Sequence, residues 1–294
     1  MGELVRPLPR LTVVVPTWNR ATVLAGCLES LVSQSLSPEL FEVVVADDGS
    51  TDATGRVVTE FADRAVAIRH VAFPHDGLNS ARNHGVRAAT GEVIAFVDDD
   101  EVAPVTHLEA ILAGLDANPD VDGIGGPYRE QETPGRSRTC GRCTLGAATI
   151  HASRPDGRAR ALLGGNMAIR TSAFSRVGLF DEELSGRGDE SEWFSRARAS
   201  FLFDPDLFVW HRKDPFTLVE LCKIQFTQGR GLARSAKKRG SSRNPRVVRM
   251  GRTLGHGVTR RCAHGYLSFA RELGSSVEWV RLRVRRDRSA PLHH

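Results

Sequence analysis

An α/β fold with a mostly parallel central sheet flanked by helices, followed by a basic, partly helical C-terminal extension, is predicted by three features of the sequence. Short apolar runs rich in valine, LTVVV at 11–15, EVVVA at 42–46 and VIAFV at 93–97, lack the alternation of half-exposed strands and suit strands covered on both faces. Segments with helical spacing separate these runs, which implies parallel strands joined by crossover helices. Charge is divided along the chain: residues 223–294 carry 18 Lys/Arg against 3 Asp/Glu, a net charge of +15, whereas residues 1–222 carry −10.

The elements follow in order. The first strand is expected to stop at Pro16, and Val23, Leu24, Cys27, Leu28, Leu31 and Val32 then recur at the spacing of an amphipathic helix. The second strand runs into DDGSTD, where Ser50, Thr51 and Asp52 are candidate caps for a helix reaching Phe61. Val66 to Val71 suits a third strand, and Asn79 to Ala89 a helix stopped by Gly91. After VIAFV comes DDDE, and Thr106 with Glu109 fits a capping box for the helix carrying Leu108, Ile111, Leu112 and Leu115. Pro127 to Gly157 reads as a long loop. Ala161 to Arg170 returns a strand to the sheet, Glu190 to Ser200 is helical and Phe201 to Trp210 is extended. A domain of residues 8–215 is expected. The extension of 216–294 opens with a helix that turns basic at Lys237 to Arg239.

Composition narrows the possible settings. With 40% hydrophobic and 26% charged residues among 294, the chain has the makeup of a globular protein. No apolar run approaches the roughly 20 residues that span a bilayer, and MGELVRPLPR lacks the apolar segment of a secretory signal. A cytoplasmic location is therefore expected, with the basic extension offering peripheral contact with the inner face of a membrane. Five cysteines at irregular spacing make a poor disulfide framework. Cys140 and Cys143 form a CxxC pair with only His151 nearby, which reads as reduced thiols rather than a zinc site.

Chemistry concentrates where strands end. Ligands of open α/β sheets bind beyond the carboxyl ends of the strands. Asp47 and Asp48 follow one strand, and Asp98, Asp99 and Asp100 follow another. Three adjacent carboxylates repel one another unless a cation or several donors offset them. Oxygen ligands of this kind suit Mg2+ or Mn2+, commonly shared with substrate phosphates.

The strings VVVPTWNR at 13–20, VVVADDGSTD at 43–52, NSARNHGVRAATGEVIAFVDDDE at 79–101 and GGNMAIR at 164–170 together resemble family 2 glycosyltransferases with the GT-A fold. The resemblance covers about residues 11–215 and implies a nucleotide-sugar half at about 8–105 and an acceptor half at 106–215. It implies a nucleoside-diphosphate sugar donor, a hydroxyl-bearing acceptor, a DxD metal site and inversion at the anomeric carbon. Carried over by position, it places Pro16, Thr17 and Asn19 around the nucleoside, Asp48 at the base, and Arg82 beside the phosphates. Asp98 and Asp100 match the DxD pair, with Asp99 between them near the donor. His211 falls where some members supply a further metal ligand.

GRGDESEW at 186–193 resembles the segment that holds the general base, which falls on Glu190; because Asp-Glu stands here where Glu-Asp is usual, Asp189 is its rival. Gly165, Asn166 and Trp193 fall in the acceptor region, although an indole is equally suited to the core. A nucleotidyltransferase is disfavoured by PTWNR where a glycine-rich phosphate loop belongs. A non-catalytic carbohydrate- or nucleic-acid-binding protein leaves the DDD and GDESE acids without a role, and no aromatic-basic RNA motif supports nucleic acid as a partner.

Overall fold

The computed structural model describes residues 8–130, 157–184 and 190–211, with scattered helical positions between 222 and 237 and between 270 and 278. The chain forms two compact units, one of residues 1–131, 147–182 and 193–213, the other of 132–146, 183–192 and 214–294. Cys140, Cys143, His151 and Asp189 lie outside the described residues, as does most of the expected long loop.

The first unit is built on strands β1 (Leu11–Thr17), β2 (Phe41–Asp47), β3 (Ala67–Ala72), β4 (Val93–Phe96), β5 (Glu101–Val102), β6 (Gly123–Gly125), β7 (Tyr128–Glu130), β8 (Arg158–Ala159), β9 (Met167–Arg170), β10 (Phe201–Phe203) and β11 (Val209–His211). Its helices are α1 (Ala21–Val32), α2 (Thr54–Glu60), α3 (Leu78–Ala88), α4 (His107–Ala117), α5 (Thr171–Val177) and most of α6 (Glu190–Ala197). Eight strands form one sheet in the order β3-β2-β1-β4-β9-β6-β10-β8, and β5-β11-β7 form a smaller one.

The large sheet is mixed: six of its eight strands run in one direction, in keeping with the mostly parallel sheet expected, and β9 and β8 run against them. β3, β2, β1 and β4 run parallel, but β9 is antiparallel to both β4 and β6. The strand–helix–strand pattern β4–α4–β6 does give two strands of one direction. A strand from later in the chain is inserted between them, and periodicity within β4 and β6 carries no trace of it.

Alternation along β1 explains how its unbroken apolar run is used. Leu11, Val13 and Val15 pack with Leu24, Leu28 and Leu31 of α1 and Leu108, Ile111 and Leu115 of α4. Val14 turns to the other face, with Ile94, Phe96, Ala81 of α3 and an aromatic group of Phe174, Phe180, Trp193, Phe194 and Phe201. Both faces are thus covered, as the run implies.

Three local expectations are corrected or narrowed. β1 continues through Pro16 to Thr17. Pro16 lies just past the β4 ladder, which pairs β1 only as far as Val14 and ends on the bond from the Val97 N–H to the Val14 carbonyl. Neither Ser50 nor Thr51 caps α2, which starts at Thr54 after Ala53. Asp52 does so from one position further out, accepting from the N–H and hydroxyl of Thr54, and it also accepts from the N–H of Ala21, the first residue of α1. The Thr106–Glu109 capping box does not form either; Thr106 makes no side-chain cap bond, Gln34 Oε1 accepts the N–H of Leu108 in the first turn of α4, and Glu109 accepts a bond from Ser35.

In the second unit, Glu278 is buried and receives Arg230 Nε at 2.9 Å and Arg234 Nε at 2.9 Å. Removal of one partner from so enclosed a set is costly. Among the described residues no helix is long and apolar enough to cross a membrane.

Candidate active site

The acidic turn lies just past β4. Val97 still joins β1, and Asp98, Asp99 and Asp100 follow beyond the sheet edge. Glu101 closes the turn: its N–H donates to the Asp98 carbonyl at 3.0 Å, and its Oε2 accepts the Asp98 N–H at 3.0 Å. Glu101 is fully buried, and burial, followed by the charges of Asp98 and Asp100, pushes its carboxyl well above the usual range.

Asp99 turns inward. Its Oδ2 accepts the Thr17 hydroxyl at 2.8 Å, and its Oδ1 lies 3.0 Å from Arg20 Nη1. Burial raises its pKa to about 7, with Asp100 and Asp98 adding to the rise and Arg20 and Thr17 opposing it. Asp100 stands between two basic groups, Arg20 Nη2 at 2.9 Å from Oδ2 and His211 Nε2 at 3.5 Å from Oδ1. His211 arrives through the small sheet, where it pairs with Glu101. Arg82 Nη2 is 3.8 Å from Asp98 Oδ1, and the side chain is buried within α3 rather than lying on an exposed helix face.

Asn19, next to Arg20, ties the loop after β1 to the loop after β2. Its φ of 53° is left-handed, and its Oδ1 accepts from the backbone of Thr51 and Asp52. Asparagine tolerates that conformation better than most residues, so its type has a backbone reason. Asp48 accepts from the N–H groups of Asp76 and Gly77, and His75 Nδ1 is 2.8 Å from its Oδ2. These bonds fix the loop before α3. Trp18, which remains 47% exposed, stacks on His75 with ring centroids 4.2 Å apart.

Gly165 packs directly against the acidic turn. A Cβ added there would lie 2.5 Å from Glu101 Oε1 and 2.6 Å from Asp98 Cγ, so only glycine fits. Its N–H donates to the Tyr128 hydroxyl at 2.8 Å. Asn166 and Trp193, expected at the acceptor, are buried in the core instead. The Asn166 amide donates to the carbonyls of Leu207 and Pro127, and the fully enclosed Trp193 indole donates to the Gly178 carbonyl. An indole with no exposed face has none to offer a sugar. Glu190 opens α6, with Glu192 in the same first turn.

The donor set around the turn is chemically suited to a hard divalent cation. It consists of carboxylates with one imidazole at the margin, and Glu101 Oε1 is buried with no hydrogen-bond partner among the described residues. Among the described residues no three such groups converge into a ready-made cage.

Sequence reasoning passed over Arg20, Glu101, Trp18 and Tyr128. Arg20 did leave a signal: it occupies the N-cap position of α1, where the helix dipole disfavours a cation, so its presence calls for an acidic neighbour.

A mixed α/β sheet with an acidic turn at its carboxyl edge and a loop–helix frame on either side is the architecture of the GT-A glycosyltransferases. The sequence model of glycosyl transferase family 2 matches residues 12–178, and the chain belongs to that family. A validoxylamine A glucosyltransferase of Streptomyces hygroscopicus subsp. limoneus is 43% identical over 109 residues, 36% of this chain and 24% of that protein. The chain thus spans about a quarter of that relative's length. Glycosyltransferase AglE of Haloferax volcanii is 27% identical over 228 residues, 76% of this chain and 73% of its own. Among solved structures, the mannosyltransferase PcManGT of Pyrobaculum calidifontis, in complex with GDP-Man and Mn2+, has a TM-score of 0.61 at 19% identity, covering 97% of this chain and 77% of that one. TarS 1–349 of S. aureus in complex with UDP has a TM-score of 0.57 at 18% identity, covering 97% and 93%. These two likenesses establish the shared fold.

Proposed function

We propose that this chain transfers a sugar from a nucleoside-diphosphate sugar to an acceptor hydroxyl, with inversion at the anomeric carbon. The observation that carries the reading is the acidic turn Asp98–Asp100, framed by Thr17 and Arg20 on one side and Gly165 on the other. The presence of GDP-Man and Mn2+ in the related mannosyltransferase, and of UDP in TarS, supports a donor of this class.

In this reading Asp98 and Asp100 hold Mn2+ or Mg2+, with His211 at the margin of Asp100. The cation supplies Lewis-acid stabilisation of the departing diphosphate. Pro16, Thr17 and Asn19 shape the nucleoside loop, Asp48 positions the 75–77 segment, and the exposed Trp18 face is available to the base. Arg82 supplies buried positive charge beside Asp98, suited to phosphate oxygens. Glu190, with Asp189 as its rival, accepts the proton of the acceptor hydroxyl as the new bond to the anomeric carbon forms. The bond to the diphosphate breaks on the opposite side in the same displacement. Residues 8–215 make up the catalytic domain, and the basic extension 216–294 rests on anionic lipid at the cytoplasmic face.

Calorimetric titration with UDP, GDP and dTDP, each with and without Mn2+, tests the reading. One nucleotide is expected to bind at least about tenfold more tightly with metal. Asp100→Ala should lose that gain and metal-dependent transfer while melting within a few degrees of the native chain; unchanged turnover and metal requirement in this variant count against the site. Glu190→Gln should keep nucleotide binding and lose transfer, whereas full activity assigns the base to Asp189.

A further inference from the structure

The position of Arg20 has a consequence for the order in which ligands enter. Its guanidinium spans two carboxylates at once, Asp99 Oδ1 at 3.0 Å and Asp100 Oδ2 at 2.9 Å. It does so from the N-cap of α1, where the helix dipole opposes a positive charge, and its side chain is 37% exposed. The fork is therefore held by the acids in front of it rather than by its own helix, and has solvent into which to withdraw. Asp99 is also anchored by Thr17 and keeps a donor if Arg20 leaves; the described partners of Asp100 are Arg20 and the more distant His211.

We propose that Arg20 is the resident counter-ion of Asp100, and that it keeps this carboxylate from a divalent cation until a nucleoside diphosphate arrives to share the cation and receive the guanidinium. A cation and a guanidinium cannot both take Asp100 Oδ2 at bonding distance without strong repulsion. Diphosphate oxygens relieve the conflict because they complete the cation's shell and offer Arg20 another anionic acceptor that a guanidinium can grip through two bonds. Metal alone then binds weakly, and metal with diphosphate binds well. The inference rests on the metal-dependent reading above and adds a role for Arg20 within it.

The test needs no turnover. Free Mn2+ is followed by its electron paramagnetic resonance signal as full-length protein is added, without nucleotide and with saturating UDP, GDP or dTDP. For Arg20→Gln, Mn2+ affinity without nucleotide should rise about tenfold or more, and the gain caused by the diphosphate should shrink correspondingly. Arg20→Lys should show much of the same rise, because an ammonium keeps the charge but cannot span both carboxylates. Native Mn2+ affinity in Arg20→Gln overturns the exchange. So does a rise in Arg20→Gln with none in Arg20→Lys, which reduces Arg20 to its net charge. Failure of the native protein to take up Mn2+ even with every diphosphate sinks the metal reading and the exchange together, whereas uptake with diphosphate and no gain in the variants sinks the exchange alone. Circular dichroism of each variant confirms that the sheet is intact.

Discussion

Single residues of the site divide into those that face ligand and those that hold the others still. Gly165 is the sharpest example of the second kind, since even a methyl group collides with Glu101 and Asp98. Gly165→Ala should shift the acidic turn by a fraction of an ångström to an ångström and lower kcat/KM for sugar transfer by about 100-fold, as small misplacements of positioned groups do. Its melting temperature should fall by only a few degrees. An alanine variant with native transfer kinetics removes the turn from the chemistry. Trp193→Phe should behave in the opposite way, because it deletes a buried N–H and leaves the Gly178 carbonyl without its donor. A stability loss of about 1–3 kcal/mol in urea unfolding is expected, with nucleotide affinity unchanged.

Secondary-structure elements were legible to the extent that their signals are local. The β1–β4 strands and α1–α4 helices follow from apolar runs and 3.6-residue spacing, and their observed limits lie within a few residues of that reading. The start of α4 was misread because its first-turn N–H goes to Gln34 and Glu109 accepts from Ser35, and such distant partners leave no local mark. The antiparallel entry of β9 was hidden for the same reason. At the site, the order of acids along DDDE was visible; that Asp99 turns inward, that Arg20 reaches Asp100 across about 80 positions, and that Asn166 is a core clamp were not. One contact between elements can be tested directly. α3 lies so close to β1 that a Cβ on Gly85 would fall inside the Val14 side chain. Gly85→Ala should cost about 1–3 kcal/mol by overpacking. Adding Val14→Ala should return part of that loss, and a double variant with no coupling between the positions places the close approach elsewhere.

At the scale of the molecule, two buried titratable groups away from the acidic turn lower the stability of the sheet unit in acid. His107, the first residue of α4, is 3% exposed, and burial depresses its pKa from 6.5 to about 4. The folded chain thus keeps this imidazole neutral, while the unfolded chain accepts a proton as soon as pH falls below about 6.5. Stability from this group is full above that value, declines as pH falls towards about 4 and is exhausted below it. Its total is on the order of 3 kcal/mol. Glu42 acts in a lower window. Burial alone favours its neutral form, but hydrogen bonds from Thr12 and Thr90 and the charge of Arg69 outweigh that and hold its pKa below the usual value. With the folded pKa depressed, its contribution is intact above about pH 4.3, the ordinary glutamate value, and is lost as pH drops through the folded one. Asp99, whose folded pKa is raised to about 7, works the other way and stabilises the fold as pH falls through the His107 window, so the contributions of His107 and Glu42 are read by difference from the native chain. Urea unfolding followed by far-ultraviolet circular dichroism from pH 8 to 3.5 separates them. Relative to the native chain, His107→Leu should remove a loss of stability between pH 6.5 and 4 and leave the lower window unchanged, whereas Glu42→Gln should do the reverse. An unchanged slope between pH 6.5 and 4 in His107→Leu moves the source of that loss to another group.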